Sequence, residues 1–504
     1  MNEFWEDLVS GEIQYRDRFQ FEMKSEMEPG DRGETVSQTQ EFYFFVPSSL
    51  QINEKTYTKE QFYNDQMNMI RFKTPIFALR ELMDLQNRKS PLTRLKGLLE
   101  DKQSYDALEI IEDESKLLAN IIRSACRREV LDLLLAPHES EPVLAFTRDL
   151  KRFLNDYRQL VDAYQHQWPP ETLHKHLHYI EAFMSHQVDY YLTGYLHEMR
   201  KRQDPNLPTT DQPICTLLVD EQKLREERLG EKRGVKANSF ESELILYRNG
   251  LLKKFVSDAL QLNISRYSFT QTFNHLIGAF AAGVAMLLYV SLLFWYGSNF
   301  LINSAPFLIL SVFLYIIKDR VKEWLKNASL RTALKWFPDF TTKIQTPNEK
   351  ITLGTLKESF GYVKEETLPQ EIQDIREKQF HTVVDAFKRR ETVMVYKQII
   401  TLNAFSTLRT ARRMGVIIVS RLSVDYLLNK AGSPFHQYMA LDPQTREVLM
   451  THLPKVYHLN IIICTTTHRT GTPPLYDLKK YRLILDKNGI RHIDQIRAQN
   501  KEDI

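Results

Sequence analysis

Residues 276–296 read LIGAFAAGVAMLLYVSLLFWY and residues 299–317 read NFLINSAPFLILSVFLYII, with no Asp, Glu, Lys or Arg anywhere between Arg266 and Lys318. Each run is close to the length a helix needs to cross roughly 30 Å of hydrocarbon. Only Gly297 and Ser298 separate them, so the pattern predicts an antiparallel transmembrane helical hairpin over 276–317. Pro306 lies in the second run, where it kinks the helix or marks its first turn. Trp295 and Tyr296 at the turn end, with Tyr315 and Trp324 at the other, suit an interfacial aromatic belt.

Charge sets the expected orientation. Lys318, Arg320, Lys322, Lys326, Arg331 and Lys335 follow the second run, while Lys253, Lys254 and Arg266 precede the first. The turn carries no charge, so the positive-inside rule puts both flanks in the cytoplasm. The spans hold no ionisable side chain, which favours anchoring over a transport pathway. Gly278 with Ala282, and Ala279 with Gly283, are small residues four apart. They admit close helix packing, either inside the hairpin or in a homo-oligomer.

Beyond the hairpin the chain reads as folded protein. It has 504 residues, 43% hydrophobic and 26% charged, which excludes a mostly disordered chain. The 67 basic and 64 acidic side chains leave a net charge of +3. That balance provides no global pull toward nucleic acid, and no nucleic-acid partner is expected. Cys126, Cys215 and Cys464 are too few for a disulfide framework and fit a reducing compartment. The start, MNEFWEDLVSGEIQ, has no apolar run, so no cleavable signal is predicted. The hairpin becomes the targeting signal, and the expected location is a bacterial inner membrane with both termini cytoplasmic.

The periodicities divide the rest. Ile13, Tyr15, Phe19, Phe21 and Met23 alternate as in a strand, EPGDRGE makes a turn, and EFYFFV (41–46) follows as a more buried strand. These residues predict an N-terminal β-hairpin. Val143, Phe146, Leu150, Phe153, Tyr157, Leu160 and Tyr164 are spaced 3, 4, 3, 4, 3, 4, a heptad seam. A second helix carries Leu173, Leu177, Ile180, Met184, Val188, Tyr191 and Tyr195, and a third carries Leu108, Ile111, Leu118, Ile122 and Leu133. Together they predict a bundle. DPNLPTTDQP (204–213) reads as a linker, and Asn238 to Glu241 as a capping box opening a helix toward the membrane. After Pro369 a helix precedes strands at 392–400, 415–420, 458–464 and 481–485, with an Asn488-Gly489 turn leading into a last strand.

Three constellations invite chemistry. His174, His178 and Glu181 share a helical face with Glu171 one turn earlier, a spacing able to hold a divalent metal. Only one Glu-x-x-His pair is present, so a solvated histidine-rich edge is the favoured reading and no metal is assigned. Cys464-Thr-Thr-Thr-His468-Arg469 follows an apolar strand and offers a thiol, hydroxyls and an anion-binding Arg over 464–472. It matches no thiol-phosphatase loop. Arg409, Arg412, Arg413 and Arg421 form a basic cluster that reads as a solvated strand edge. Gly230-Glu-Lys-Arg-Gly234 lacks the phosphate-loop spacing, and no cofactor fingerprint occurs.

The expected fold class is a mixed multidomain membrane protein. It comprises a β-rich segment (1–58), an α-helical bundle (59–203), a linker and helix (204–275), the transmembrane helical hairpin (276–317), a basic interfacial helix (318–337) and a cytoplasmic α+β domain with a small antiparallel sheet (338–504). The expected function is a membrane-anchored cytoplasmic scaffold or regulatory interaction protein. The alternative is a membrane-tethered enzyme using the 464–472 loop or the His174/His178 face; a small-solute transport component acting as an oligomer comes third. Expected partners are the bilayer through the hairpin, anionic headgroups through 318–337, and proteins; the catalytic residues remain unassigned.

Overall fold

The computed structural model describes residues 3–8, 11–30, 34–84, 86–100, 105–135, 140–165, 171–202, 207–230, 239–297, 304–336, 338–347, 351–377, 391–403 and 415–496. Its strands are β1 (Ile13–Asp17), β2 (Gln20–Met27), β3 (Val36–Pro47), β4 (Gln66–Phe72), β5 (Asn263–Ser268), β6 (Phe340–Gln345), β7 (Thr352–Val363), β8 (Glu391–Leu402), β9 (Val416–Ser423), β10 (Phe435–Leu441), β11 (Val448–Pro454), β12 (Tyr457–His468), β13 (Leu475–Asp486) and β14 (Gly489–Ile496). The helices are α1 (Glu3–Leu8), α2 (Lys59–Asp65), α3 (Leu79–Met83), α4 (Pro91–Glu100), α5 (Tyr105–Leu135), α6 (Ser140–Gln165), α7 (Glu171–Arg202), α8 (Leu207–Leu229), α9 (Ser239–Ser257), α10 (Phe269–Gly297), α11 (Ala305–Trp336), α12 (Gln370–Glu377) and α13 (Asp425–Leu428).

Strand pairing joins the two ends of the chain. The largest sheet has eight antiparallel strands in the order β14-β13-β12-β3-β8-β7-β6-β5. β3 lies at its middle, pairing Phe44 with Ile461 on one side and with Met394 on the other. The small C-terminal sheet expected from the sequence is therefore corrected to a large one that needs an N-terminal strand. The N-terminal hairpin is corrected too. β1 and β2 pair about Arg18 and Phe19, and β2 then joins a four-stranded sheet ordered β1-β2-β9-β4. Period-two alternation explains how the sheets stack. Phe21 and Met23 from one sheet share a core with Phe42, Phe44, Tyr396, Ile461 and Leu483 from the other. The opposite face of β3, with Tyr43 and Phe45, packs beside Ile462 under Ile372 of α12. Gly489 closes the β13–β14 turn at φ +123°, where a Cβ would sit 2.1 Å from the Arg18 carbonyl.

The helices α4 to α9 cap one end of these sheets. The α6 seam is buried at Val143, Phe146, Leu150, Phe153 and Tyr157, and α6 packs on α7 and α8 within the same chain. Ile122, Phe153 and Met184 share one core with Val36, Leu353, Leu402 and Val416 of the sheets. Of residues 204–213, read as a linker, 207–213 are instead helical and form the start of α8, with Pro213 inside the helix. Burial of Ile214 and Leu217 outweighs the proline there. Residues 204–206, Asn238, residues 378–390 and the arginines 409, 412 and 413 lie outside the described residues.

The predicted transmembrane hairpin is corrected at α11. Among the described residues one helix is long and apolar enough to cross a membrane, over Gly278–Tyr296 of α10. In α11 the first charge, Lys318, follows residues 305–317, a rise of only about 20 Å. That is short of roughly 30 Å of hydrocarbon; residues 299–303, which the expected second span included, lie outside the described residues. The interfacial helix expected at 318–337 is not separate either. It continues α11 without a break to Trp336.

Candidate functional site

The most distinctive surface is the arm made by α10 and α11. β5 runs directly into α10, α11 returns to β6, and β5 and β6 are hydrogen-bonded neighbours. The arm therefore leaves and re-enters the body at one edge of the large sheet. Its two helices pack on each other along a small-residue seam in which Ala281 and Ala285 are buried with Leu314. Gly278 and Ala282 are partly covered, whereas Ala279 and Gly283 face outward. The outward surfaces are apolar and open: Phe294 is 85% exposed, Trp295 75% and Ile309 71%. Soluble surfaces rarely carry so large a contiguous apolar patch.

Charge begins part-way down the arm. Lys318 Nζ stands 3.7 Å from the Tyr315 ring centre and 6.0 Å from that of Tyr289 on the facing helix. Arg320 and Lys322 follow on exposed positions, accompanied by Asp319 and Glu323. The wholly apolar part is thus the tip, from about the level of Tyr289 outward.

The root of the arm is fixed by a buried polar network that the sequence reading missed. Arg266, just before α10, has its guanidinium 3.3 Å from the Glu358 carboxylate and stacks 4.0 Å over Phe340. Glu358 also accepts hydrogen bonds from the Tyr396 hydroxyl and the Asn68 amide, both at 2.7 Å. Gln398 donates to Tyr396 and to Ser420, each at 2.8 Å, and so ties the two sheets together. Asp339, just after α11, accepts from Lys59 at 2.7 Å, Tyr63 at 2.9 Å and the Phe360 amide at 2.8 Å. Burial raises the Glu358 carboxyl above its ordinary value, against the pull of Arg266. The legible signal was a polar residue in an apolar row: Glu358 between Leu356 and Phe360, and Gln398 between Tyr396 and Ile400.

The sequence-predicted constellations fare differently. His174 and His178 do meet, with 2.9 Å between their Nε2 atoms, and His178 Nδ1 lies 3.4 Å from Glu181. Glu181, however, accepts from Arg158 at 2.9 Å and Arg228 at 3.0 Å. Burial alone would raise the Glu181 carboxyl, but His178 and the two arginines bring it down to about 2. The ladder runs on from Arg158 to Glu221 at 2.6 Å and from Arg225 to Asp189 at 2.7 Å, linking α6, α7 and α8. Among the described residues no group of three or more His, Cys, Asp or Glu is placed to hold a metal. Cys464 sits inside β12, not in a loop, and burial pushes its thiol up. His468 is the last residue of that strand. Arg421 pairs with Glu22 across β9 and β2 at 2.7 Å.

No protein-family model, curated protein or solved structure matches this chain.

Proposed function

We propose that this protein is a membrane-bound scaffold or regulatory interaction protein of the cytoplasmic face, held to the bilayer by the apolar tip of its helical arm. The exposed apolar tip carries the reading: Phe294 and Ile309 are 85% and 71% exposed, and apolar surface gains about 25 cal/mol per Å² on entering hydrocarbon. The tip reaches about 20 Å before Lys318, deeper than one leaflet's hydrocarbon and short of two. In this reading it dips into the membrane from the side where the body lies, since β5 and β6 pair with each other. Lys318, Arg320 and Lys322 then sit at headgroup depth, where each contributes on the order of 1 kcal/mol near an anionic leaflet.

The bundle and stacked sheets remain in water to meet protein partners. Three unpaired cysteines agree with a reducing compartment. The competing enzyme reading draws no support from the described geometry, because Glu181 is engaged by arginines and the Cys464 thiol is disfavoured as a thiolate. Purification of the full chain from solubilised membranes tests the proposal. A protein partner retained in fixed ratio is the expected result; a chain that purifies alone and turns over a small molecule would contradict it.

A further inference from the structure

The two-stranded ribbon β10–β11 stands apart from both larger sheets. Three or more strands, or a packed face, are normally needed for such a ribbon to persist in water, yet nearly every residue of both strands is exposed. Neither strand contains Asp, Glu, Lys or Arg. In the observed register Met439 faces Met450 and Leu441 faces Val448. These four share one face with Phe435, Pro454, Gln437 and His452, and Leu441, Val448 and Met450 are each more than 60% exposed. Charge is confined to the turn, at Asp442, Arg446 and Glu447, and to the base, at Lys430 and Lys455.

The strand register places this ribbon at an informative end of the molecule. Val36, Leu353 and Leu402 mark the end of the large sheet that merges with the bundle core. The other end holds Pro47 paired with Glu391, and Tyr457 paired with Leu485. The ribbon springs from that second end, where Lys455 donates to the Pro434 carbonyl and Gly432 to the Tyr457 hydroxyl, each at 2.8 Å. β5 runs toward the same end, from Asn263, level with Thr352 through Gln345, and passes directly into the arm.

The ribbon adjoins β12 and the arm adjoins β5, five strands away across the same sheet. From this shared end we infer that the ribbon is a second membrane contact, lying along the bilayer interface with its Met439/Met450 face toward the lipid. The inference rests on the membrane reading of the arm. The uncharged strands bury in the interfacial zone, Lys430 and Lys455 meet anionic headgroups, and the charged turn stays wet. Two contacts on one body raise avidity through effective concentration.

The test uses the full chain with an environment-sensitive fluorophore on single cysteines, Met439→Cys, Gln444→Cys or Phe294→Cys, in a Cys215→Ser background, with vesicles of phosphatidylcholine and phosphatidylglycerol. The probe at 439 should brighten and be quenched by nitroxide lipid, and the probe at 444 in the turn should not. Met439→Glu with Met450→Glu should lower vesicle affinity about tenfold while the probe at 294 still inserts. Insertion at 294 without any response at 439 overturns the ribbon inference and leaves the arm standing; silence at both positions overturns both. Brightening at 439 that follows protein concentration without vesicles would mean that a second copy covers the ribbon, and would also overturn it.

Discussion

Glu181 and Glu358 are both buried, and their surroundings drive their protons in opposite directions. Glu181, between Arg158 and Arg228, is held at about 2, below its ordinary 4.5. Its folded-state value is depressed, so the stability it contributes is present above 4.5 and is lost as pH falls toward 2, on the order of 3 kcal/mol. Glu181→Gln should flatten that acid limb in urea titrations and cost up to about 3 kcal/mol at neutral pH, while Arg158 keeps Glu221 and Arg228 keeps Asp162 as partners. Glu358 has the opposite sign. Its folded value is raised by burial, so the folded state keeps a proton that the unfolded chain releases, and stability falls as pH climbs from 4.5 through the folded value. Glu358→Gln should remove that fall, and its stability relative to the parent should improve toward neutral pH. A matched pH series on the two variants checks both signs, and slopes of the same sign would contradict the assignment.

Among the elements, the arm root and the α6 seam carry the most consequential packing. Arg266→Met takes the cation from beside a carboxyl group that is 1% exposed. It should cost about 1 kcal/mol, since Arg266 is partly exposed and Glu358 can hold a proton instead, read as a lower urea midpoint at unchanged slope. Phe153→Ala opens the centre of the bundle and should cost about 3–5 kcal/mol. The α6 seam was legible because its heptad spacing states which side chains meet. The alternation at Phe21 and Met23 was legible for the same reason in a strand. Other features were hidden by tertiary context. α8 persists through Pro213 because Ile214 and Leu217 are buried. α11 continues past Lys318, whose amine leans on Tyr315 of the same helix and faces Tyr289 of α10. Chain composition marks a charge-free segment, but the register of two helices decides how much of it is free of charge on both. Of the candidate site, the sequence pointed to the apolar segment and its basic border; the network of Glu358, Tyr396 and Gln398 draws its members from β4, β7, β8 and β9 and has no local spacing to betray it.

The whole molecule is organised by contacts between distant parts of the chain. β3 is hydrogen-bonded to β8 and β12, so residues 338–504 alone lack the middle strand of their sheet. Expressed by themselves they should show no cooperative unfolding transition, while co-expression with residues 1–58 should restore protected amides in β8 and β12. Such non-local pairing also predicts slow folding. The bundle merges with one end of the sheets and the ribbon springs from the other, and on the proposed reading this keeps a partner surface apart from a lipid surface. Flotation of the purified full chain with vesicles tests that division most directly, using the parent beside Phe294→Asp with Ile309→Asp. The parent should rise with the lipid, more so when phosphatidylglycerol is present, and the variant should stay in the dense fraction while unfolding at the parent's urea midpoint. A parent chain that remains soluble and monodisperse beside the vesicles would contradict the account.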